Sequence, residues 1–188
     1  PGTVAGFWEA HQRFGQLPWK DLVQPAIELA DKGFMPAPIL VESIHSMEQR
    51  FEGKTNFNDY FNSISSDSLF RQPELANTLR RIAEFGADDF YRGETAALIV
   101  QQMEKSNGLI SLEDLDAYAA VWRAPVRAGW RDYEIISAPP PSSGGFAIVQ
   151  LLKMKDYLSE LFEGVEHNSA QYIHLVAEME KRVFADRA

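Results

Sequence analysis

The chain has 188 residues, 45% hydrophobic, 12% aromatic and 24% charged, proportions that exclude collagen-like, disordered and disulfide-scaffold readings. Its 18 Lys and Arg against 27 Asp and Glu leave a formal net charge of -9, so the basic surface that binds nucleic-acid backbones is missing. No apolar run reaches the roughly 18 residues of a membrane-spanning helix, the first residues lack the order of a signal peptide, and the absence of Cys removes thiol nucleophiles and disulfides without fixing a compartment.

At this length one domain is the expectation, able to bury about 70% of the surface its unfolded chain exposes. Val4, Phe7, Trp8, His11 and Phe14 follow a helical period that Gly15 ends. His11 falls on the apolar stripe and reads as a packed, hydrogen-bonded histidine. Leu17-Pro18-Trp19 opens a second helix, with Leu22, Ala26 and Leu29 inward, Gly33 beyond its end, and Pro25 expected to kink or split it. After the rigid connector Met35-Pro36-Ala37-Pro38, residues Leu40, Ile44, Met47 and Phe51 predict one buried stripe. Gly53 to Ser68, rich in Asn, Ser and Asp, reads as a loop or loose helix pinned by Phe57, Tyr60 and Phe61, a form that suits either a connector or a lid.

Pro73 begins a helix carrying Leu75, Leu79 and Ile82 that Gly86 ends, and Gly93 precedes another with Ala96, Ile99, Val100 and Met103 inward. Asp88-Asp89, next to Phe90, reads as a helix cap with a favourable dipole contact rather than a metal pair. Ser111 and Asp114 have capping-box spacing, predicting a short helix from Leu112 to Tyr118. Val126 to Ile136 alternates around Arg131-Asp132 as a β-hairpin whose turn type stays open.

Pro139-Pro140-Pro141 then holds the chain extended, and Ser142-Ser143-Gly144-Gly145 starts a helix so apolar around its circumference that burial on several sides is expected. Asn168-Ser169 with Gln171 forms the last N-cap, and the stripe Tyr172, Val176, Met179, Val183 is still running at Ala188, an ending that natural domains seldom show. The parts are thus residues 1–123 helical, 124–137 a hairpin, 138–145 a corner, and 146–188 two helices, an α+β, mostly helical whole without internal repeats.

Zincin, serine-esterase and common nucleotide-binding motifs are all absent. The Gly-rich turn Ser142 to Gly145 could present N–H groups to an anion or a hydroxyl as nucleophile, but no local His pattern would take the proton, and helix capping is the first reading. His167 and His174 are separated by a helix start, which argues against a shared face. No catalytic, cofactor-binding or metal-ligating residue is assigned.

Pro1-Gly2-Thr3-Val4-Ala5-Gly6, Leu17-Pro18-Trp19 with Pro25-Ala26-Ile27, Asp114-Leu115 to Tyr118, the PPPSSGG of Pro139 to Gly145 and the closing Phe184-Ala185-Asp186-Arg187-Ala188 together resemble the γ-glutamyltranspeptidase family from first residue to last. Smaller departures are Asn107-Gly108, where a Gly pair is common, and Asp132, where Gly is usual. The resemblance implies an internal part of the large chain of a self-cleaving precursor of the N-terminal-nucleophile (αββα) hydrolase class, whose exposed Thr attacks a γ-glutamyl bond. That Thr, the small-chain residues that grip the donor and the large-chain Arg beside them fall outside these residues, and the family's Ser pair belongs to the small chain, not to Ser142-Ser143.

The resemblance further implies a periplasmic or extracellular enzyme with no cofactor, transferring the γ-glutamyl group of glutathione or a related amide to water, amino acids or peptides. The small subunit of the same precursor is its partner. Rival readings are a cephalosporin acylase or a capsule polyglutamate depolymerase of the same family, and a non-catalytic helical interaction module. Isolated, the chain is expected to be inactive scaffold and to self-associate through residues 146 to 184.

Overall fold

Proline at first turns and glycine just past last turns mark out much of the helical framework. In the computed structural model, which describes residues 1–187, Pro38 and Pro73 stand at helix starts while Gly15, Gly33 and Gly86 stand at helix ends, as the missing N–H of proline and the freedom of glycine favour. The chain divides into two compact units, Pro1–Val121 and Trp122–Ala188. The α+β, mostly helical class read from the sequence holds. No helix among the described residues is long and apolar enough to cross a membrane.

The first unit carries α1 (Thr3–Phe14), α2 (Trp19–Lys32), α3 (Pro38–Phe51), α4 (Phe57–Phe61), α5 (Pro73–Phe85), α6 (Ala87–Arg92), α7 (Glu94–Lys105) and α8 (Leu112–Asp116). Helices α2 and α5 form its most extensive pairing, burying Ile27 and Ala30 on one and Ala76 and Ile82 on the other. Trp19 Nε1 donates to the Ile82 carbonyl at 2.8 Å across this pair. A second cluster joins Ala5, Tyr91, Ala96 and Leu115. There the Tyr91 hydroxyl accepts from Ala5 N at 3.1 Å and donates to the Pro1 carbonyl at 2.6 Å, and burial pushes its pKa up, partly opposed by the Ala5 bond.

Three expectations fail here for identifiable reasons. Helix α2 is not split at Pro25. Pro25 is exposed, as is Asp21, whose carbonyl the proline leaves without an intrahelical donor, so water can satisfy it. The inward face of α2 is Val23, Ile27 and Ala30 rather than Leu22, Ala26 and Leu29, of which Leu22 and Leu29 are about half exposed. The stripe of α3 is real as a period but buries nothing: Leu40 and Met47 are exposed and only Ile44 and Phe51 are half-buried. Periodicity identifies an apolar face without supplying a partner for it.

Local signals fared better. Ser111 and Asp114 exchange both bonds of the capping box, and the helix they start ends at Asp116, short of Tyr118. The second unit holds the hairpin of β1 (Val126–Trp130) and β2 (Tyr133–Ser137), paired antiparallel with Val126 opposite Ser137 and Trp130 opposite Tyr133. Its turn places the positive φ on Arg131 (52°). Then come α9 (Gly144–Tyr157), a 3₁₀ turn at Ser159–Phe162, and α10 (Ala170–Arg187), whose N-cap bond runs from Tyr172 N to Ser169 Oγ at 3.2 Å. Against expectation, Gly145 is the only buried residue of α9.

Candidate functional site

Three consecutive prolines lack the N–H groups that a helix interior needs, and Pro139 to Pro141 lie outside the helix that follows. The chain turns only when Ser142 N donates to the Pro139 carbonyl at 3.1 Å, and α9 begins with Ala147 N donating to Ser143 O at 2.9 Å. Arg123 Nη1 donates to the Pro140 carbonyl at 2.8 Å and holds the corner from the strand side. Gly145 is where α9 passes closest to the end of β2: a Cβ there would lie 2.6 Å from the Ala138 carbonyl oxygen. Gly144 has only Ser142 Oγ near it, at 3.7 Å. The demanding glycine of this corner is therefore the second of the pair.

The last turn of α10 completes a groove of about 590 Å³, with Pro140 to Gly144 and Phe146 on one side and Val183, Phe184, Asp186 and Arg187 on the other. The two most distinctive sequence motifs thus face one space. Gln150 Nε2 donates to Asp186 Oδ2 at 2.7 Å, tying α9 to α10, and the Arg187 guanidinium sits 5.8 Å from the Phe184 ring centroid.

Neither serine caps α9. Ser143 occupies the N-cap position in helical conformation (φ -82°, ψ -15°), not the extended one that lets a hydroxyl reach back to the second or third helical N–H. Among the described residues neither Ser142 nor Ser143 makes a side-chain hydrogen bond, so no base is placed to activate a nucleophile there. The groove offers shape and apolar surface rather than a reacting pair.

The other singled-out residues are structural. His11 Nε2 bonds the Leu17 carbonyl at 2.9 Å and its ring lies against Trp8 and Trp19, leaving a buried Nδ1 without a partner; it is packed and bonded as expected, though half-buried. His167 meets the Tyr172 ring edge-on at 4.8 Å, while His174 is exposed. Lys155 Nζ lies over both the Phe162 and Tyr172 rings and donates to the Tyr172 hydroxyl at 3.2 Å.

Asp88-Asp89 corrects the capping expectation: Gly86 is the N-cap and no side chain caps α6. Asp88 pairs with Arg92 on the surface. Asp89, 6% exposed, accepts from the Thr95 hydroxyl and faces Arg81 Nε at 3.4 Å, while Arg81 Nη1 pairs with Glu94 at 3.1 Å. Sequence reasoning missed this network because Arg81, Asp89 and Thr95 lie on three different helices and share no local pattern.

The family model described as "Gamma-glutamyltranspeptidase" matches residues 1–188. A glutathione hydrolase proenzyme of Pseudomonas aeruginosa is 53% identical over the whole chain, which covers 34% of that relative. An acylase ACY 1 proenzyme of a Pseudomonas species is 34% identical, again over the whole chain and 34% of the relative. Among solved structures, a gamma-glutamyltranspeptidase from Pseudomonas nitroreducens complexed with L-DON superposes with a TM-score of 0.96 at 52% identity, covering all of this chain and 56% of that one. The chain thus spans about a third of the length of these curated relatives.

Proposed function

We propose, given that the chain belongs to the gamma-glutamyltranspeptidase family, that it is one segment of the large subunit of a precursor whose mature form transfers γ-glutamyl groups. The observation that carries the reading is an identity of 53% to one relative and a TM-score of 0.96 to a solved structure, each match covering the whole chain. In that enzyme the donor is glutathione or a related γ-glutamyl amide, and water, an amino acid or a peptide accepts the acyl group. An ester on the N-terminal Thr divides the transfer into two easier steps, with the Thr amine as base.

These residues serve as scaffold. Among the described residues the hairpin pairs with no further strand, and a two-stranded ribbon is marginal in water, so it joins the larger sheet of the αββα fold, while the apolar face of α9 is covered by the remainder of the precursor. The small subunit is the partner of the assembled form, and the compartment is periplasmic or extracellular, as is common in this family. Detached, the chain self-associates through residues 146 to 184, where the side chains of Phe146, Ile148, Leu161, Ile173 and Phe184 are each about half exposed and offer apolar surface of the kind that drives association.

The test is expression of the complete reading frame beside residues 1–188 alone. Self-cleavage and turnover of a chromogenic γ-glutamyl anilide by the first, none by the second, and sedimentation of the second as dimers or larger at micromolar concentration are the expected results. Side-chain removal from a cephalosporin without γ-glutamyl turnover would move the protein to the acylase branch, which the 34% identical relative represents. A reading frame ending shortly after Ala188 would favour a non-catalytic module.

A further inference from the structure

Residues 35–69 leave and rejoin the paired helices of the first unit through one bridged neck. Phe34 and Phe70 form an isolated antiparallel bridge, Phe34 N donating to Phe70 O at 3.2 Å and Phe70 N to Phe34 O at 3.0 Å. Below the bridge, Arg71 Nε donates to the Lys32 carbonyl at 3.1 Å and Gln72 N to the Ala30 carbonyl at 2.8 Å, fastening the neck to the end of α2. Gly33 makes the close crossing feasible: with φ at +84°, a Cβ would stand 2.8 Å from the Phe70 carbonyl oxygen.

Beyond the neck the polar ties are internal. Among the described residues, each hydrogen bond and ion pair made by residues 35–69 has both partners within that stretch. Helix α3 packs on α4, and neither packs extensively on another element. A ladder of rings runs from Phe51 through Phe57 and Phe61 to Phe70 at centroid spacings of 5.0, 4.7 and 5.8 Å, and Phe34 closes it edge-on at 6.0 Å. Ile64, which lies between Phe61 and Phe70 in the chain, is 3% exposed, while no residue of α3 is buried.

A segment whose hydrogen bonds and ion pairs are internal, and whose backbone returns to its body through one bridged neck, can open without disturbing what it leaves behind, because the free energy of a local opening is set by the contacts that cross its boundary. We propose that residues 35–69 are a conformational device of this kind: one cooperative unit that swings or unfolds about the Gly33-Phe34 and Phe70-Arg71 neck while α2 and α5 stay paired. The expectation of a loop pinned by aromatics thereby becomes specific. The rings pin the segment to itself and, through Phe70, to one hinge.

Hydrogen exchange of the full chain, read by mass spectrometry, tests this. Peptides from 36–69 should exchange at a common rate at least tenfold faster than those of α2 and α5. Ile64→Ala should accelerate the whole of 36–69 together, with less than a twofold change in α2 and α5. As a measurement that depends on no variant, low urea should accelerate all of 36–69 with one shared slope, smaller than that of α2 and α5. Protection in 36–69 equal to that of α2 and α5, an Ile64→Ala effect confined to its neighbours or spreading into both helices, or unequal urea slopes within 36–69 would overturn the proposal.

Discussion

Among the described residues the buried apolar core falls almost wholly in the first unit, with Met179 and Val183 in the second. Length does not account for the difference, because the second unit has abundant apolar material in α9 and leaves Phe146 and Ile148 about half exposed. The first unit closes its core with small residues: Ala5, Ala30, Ala76 and Ala96 let helix backbones approach while the ring of Tyr91 and the side chain of Leu115 fill the space. A helix that is apolar on all sides requires neighbours on all sides. The two units therefore differ in closure: the first buries a core of its own, and the second leaves much of its apolar surface in water.

The sharpest way to break this comparison is to attack the first unit where it buries charge. Asp89→Ala removes the acceptor of the Thr95 hydroxyl and leaves the part-buried Arg81 with Glu94, largely exposed, as its remaining acidic partner. Uncompensated buried charge is costly, so the variant should lose about 3 kcal/mol, measured as a lowered urea midpoint of a cooperative transition. A loss below about 1 kcal/mol would mean that water already reaches the network and that the first unit is less closed than its burial suggests.

A smaller effect sharpens the comparison in the second unit. Gly145→Ala puts a methyl group against the Ala138 carbonyl and the Ser137 side chain, whereas Gly144→Ala meets only a serine hydroxyl at ordinary contact distance. Overpacking should make the first variant less stable by about 1 to 3 kcal/mol, and the second should be neutral or slightly stabilising, since alanine is the better helix former. Equal effects in thermal unfolding would show that the corner tolerates displacement and that the close approach of Gly145 to the Ala138 carbonyl does not fix how α9 starts.

What the sequence revealed follows the range of the interactions. The capping box at Ser111 and Asp114, the Ser169 cap and the hairpin around Arg131-Asp132 are each decided within a few residues, and all were legible. The buried face of α2 was not, because Leu22 and Ile27 are equally apolar and only the position of α5 chooses between them. Ser143 was misread since capping depends on backbone conformation, which the Pro-rich turn before it sets and which residue type does not report. The PPPSSGG and FADR motifs were visible as letters, but their meeting across one groove depends on how α10 packs on α9.

The smallest effect concerns α8, where a local signal supports the core of the first unit. The backbone N–H of Ser111 and then its hydroxyl hold the Asp114 carboxyl below its usual range. A carboxyl whose pKa falls on folding contributes stability at pH above its ordinary range and loses that contribution as pH falls through the lowered one. Asp114→Ala should therefore be less stable than the parent at neutral pH, and the two melting temperatures should converge on acidification. Ser111→Ala removes the hydroxyl but keeps the backbone bond to Asp114 Oδ2, seen at 2.9 Å, so it should cost about 0.5 to 1 kcal/mol as a lost cap while retaining most of the parent's pH dependence. If both variants instead show the same deficit from neutral to acidic pH, the carboxylate adds nothing through its charge, and α8 is held by the burial of Leu115 alone.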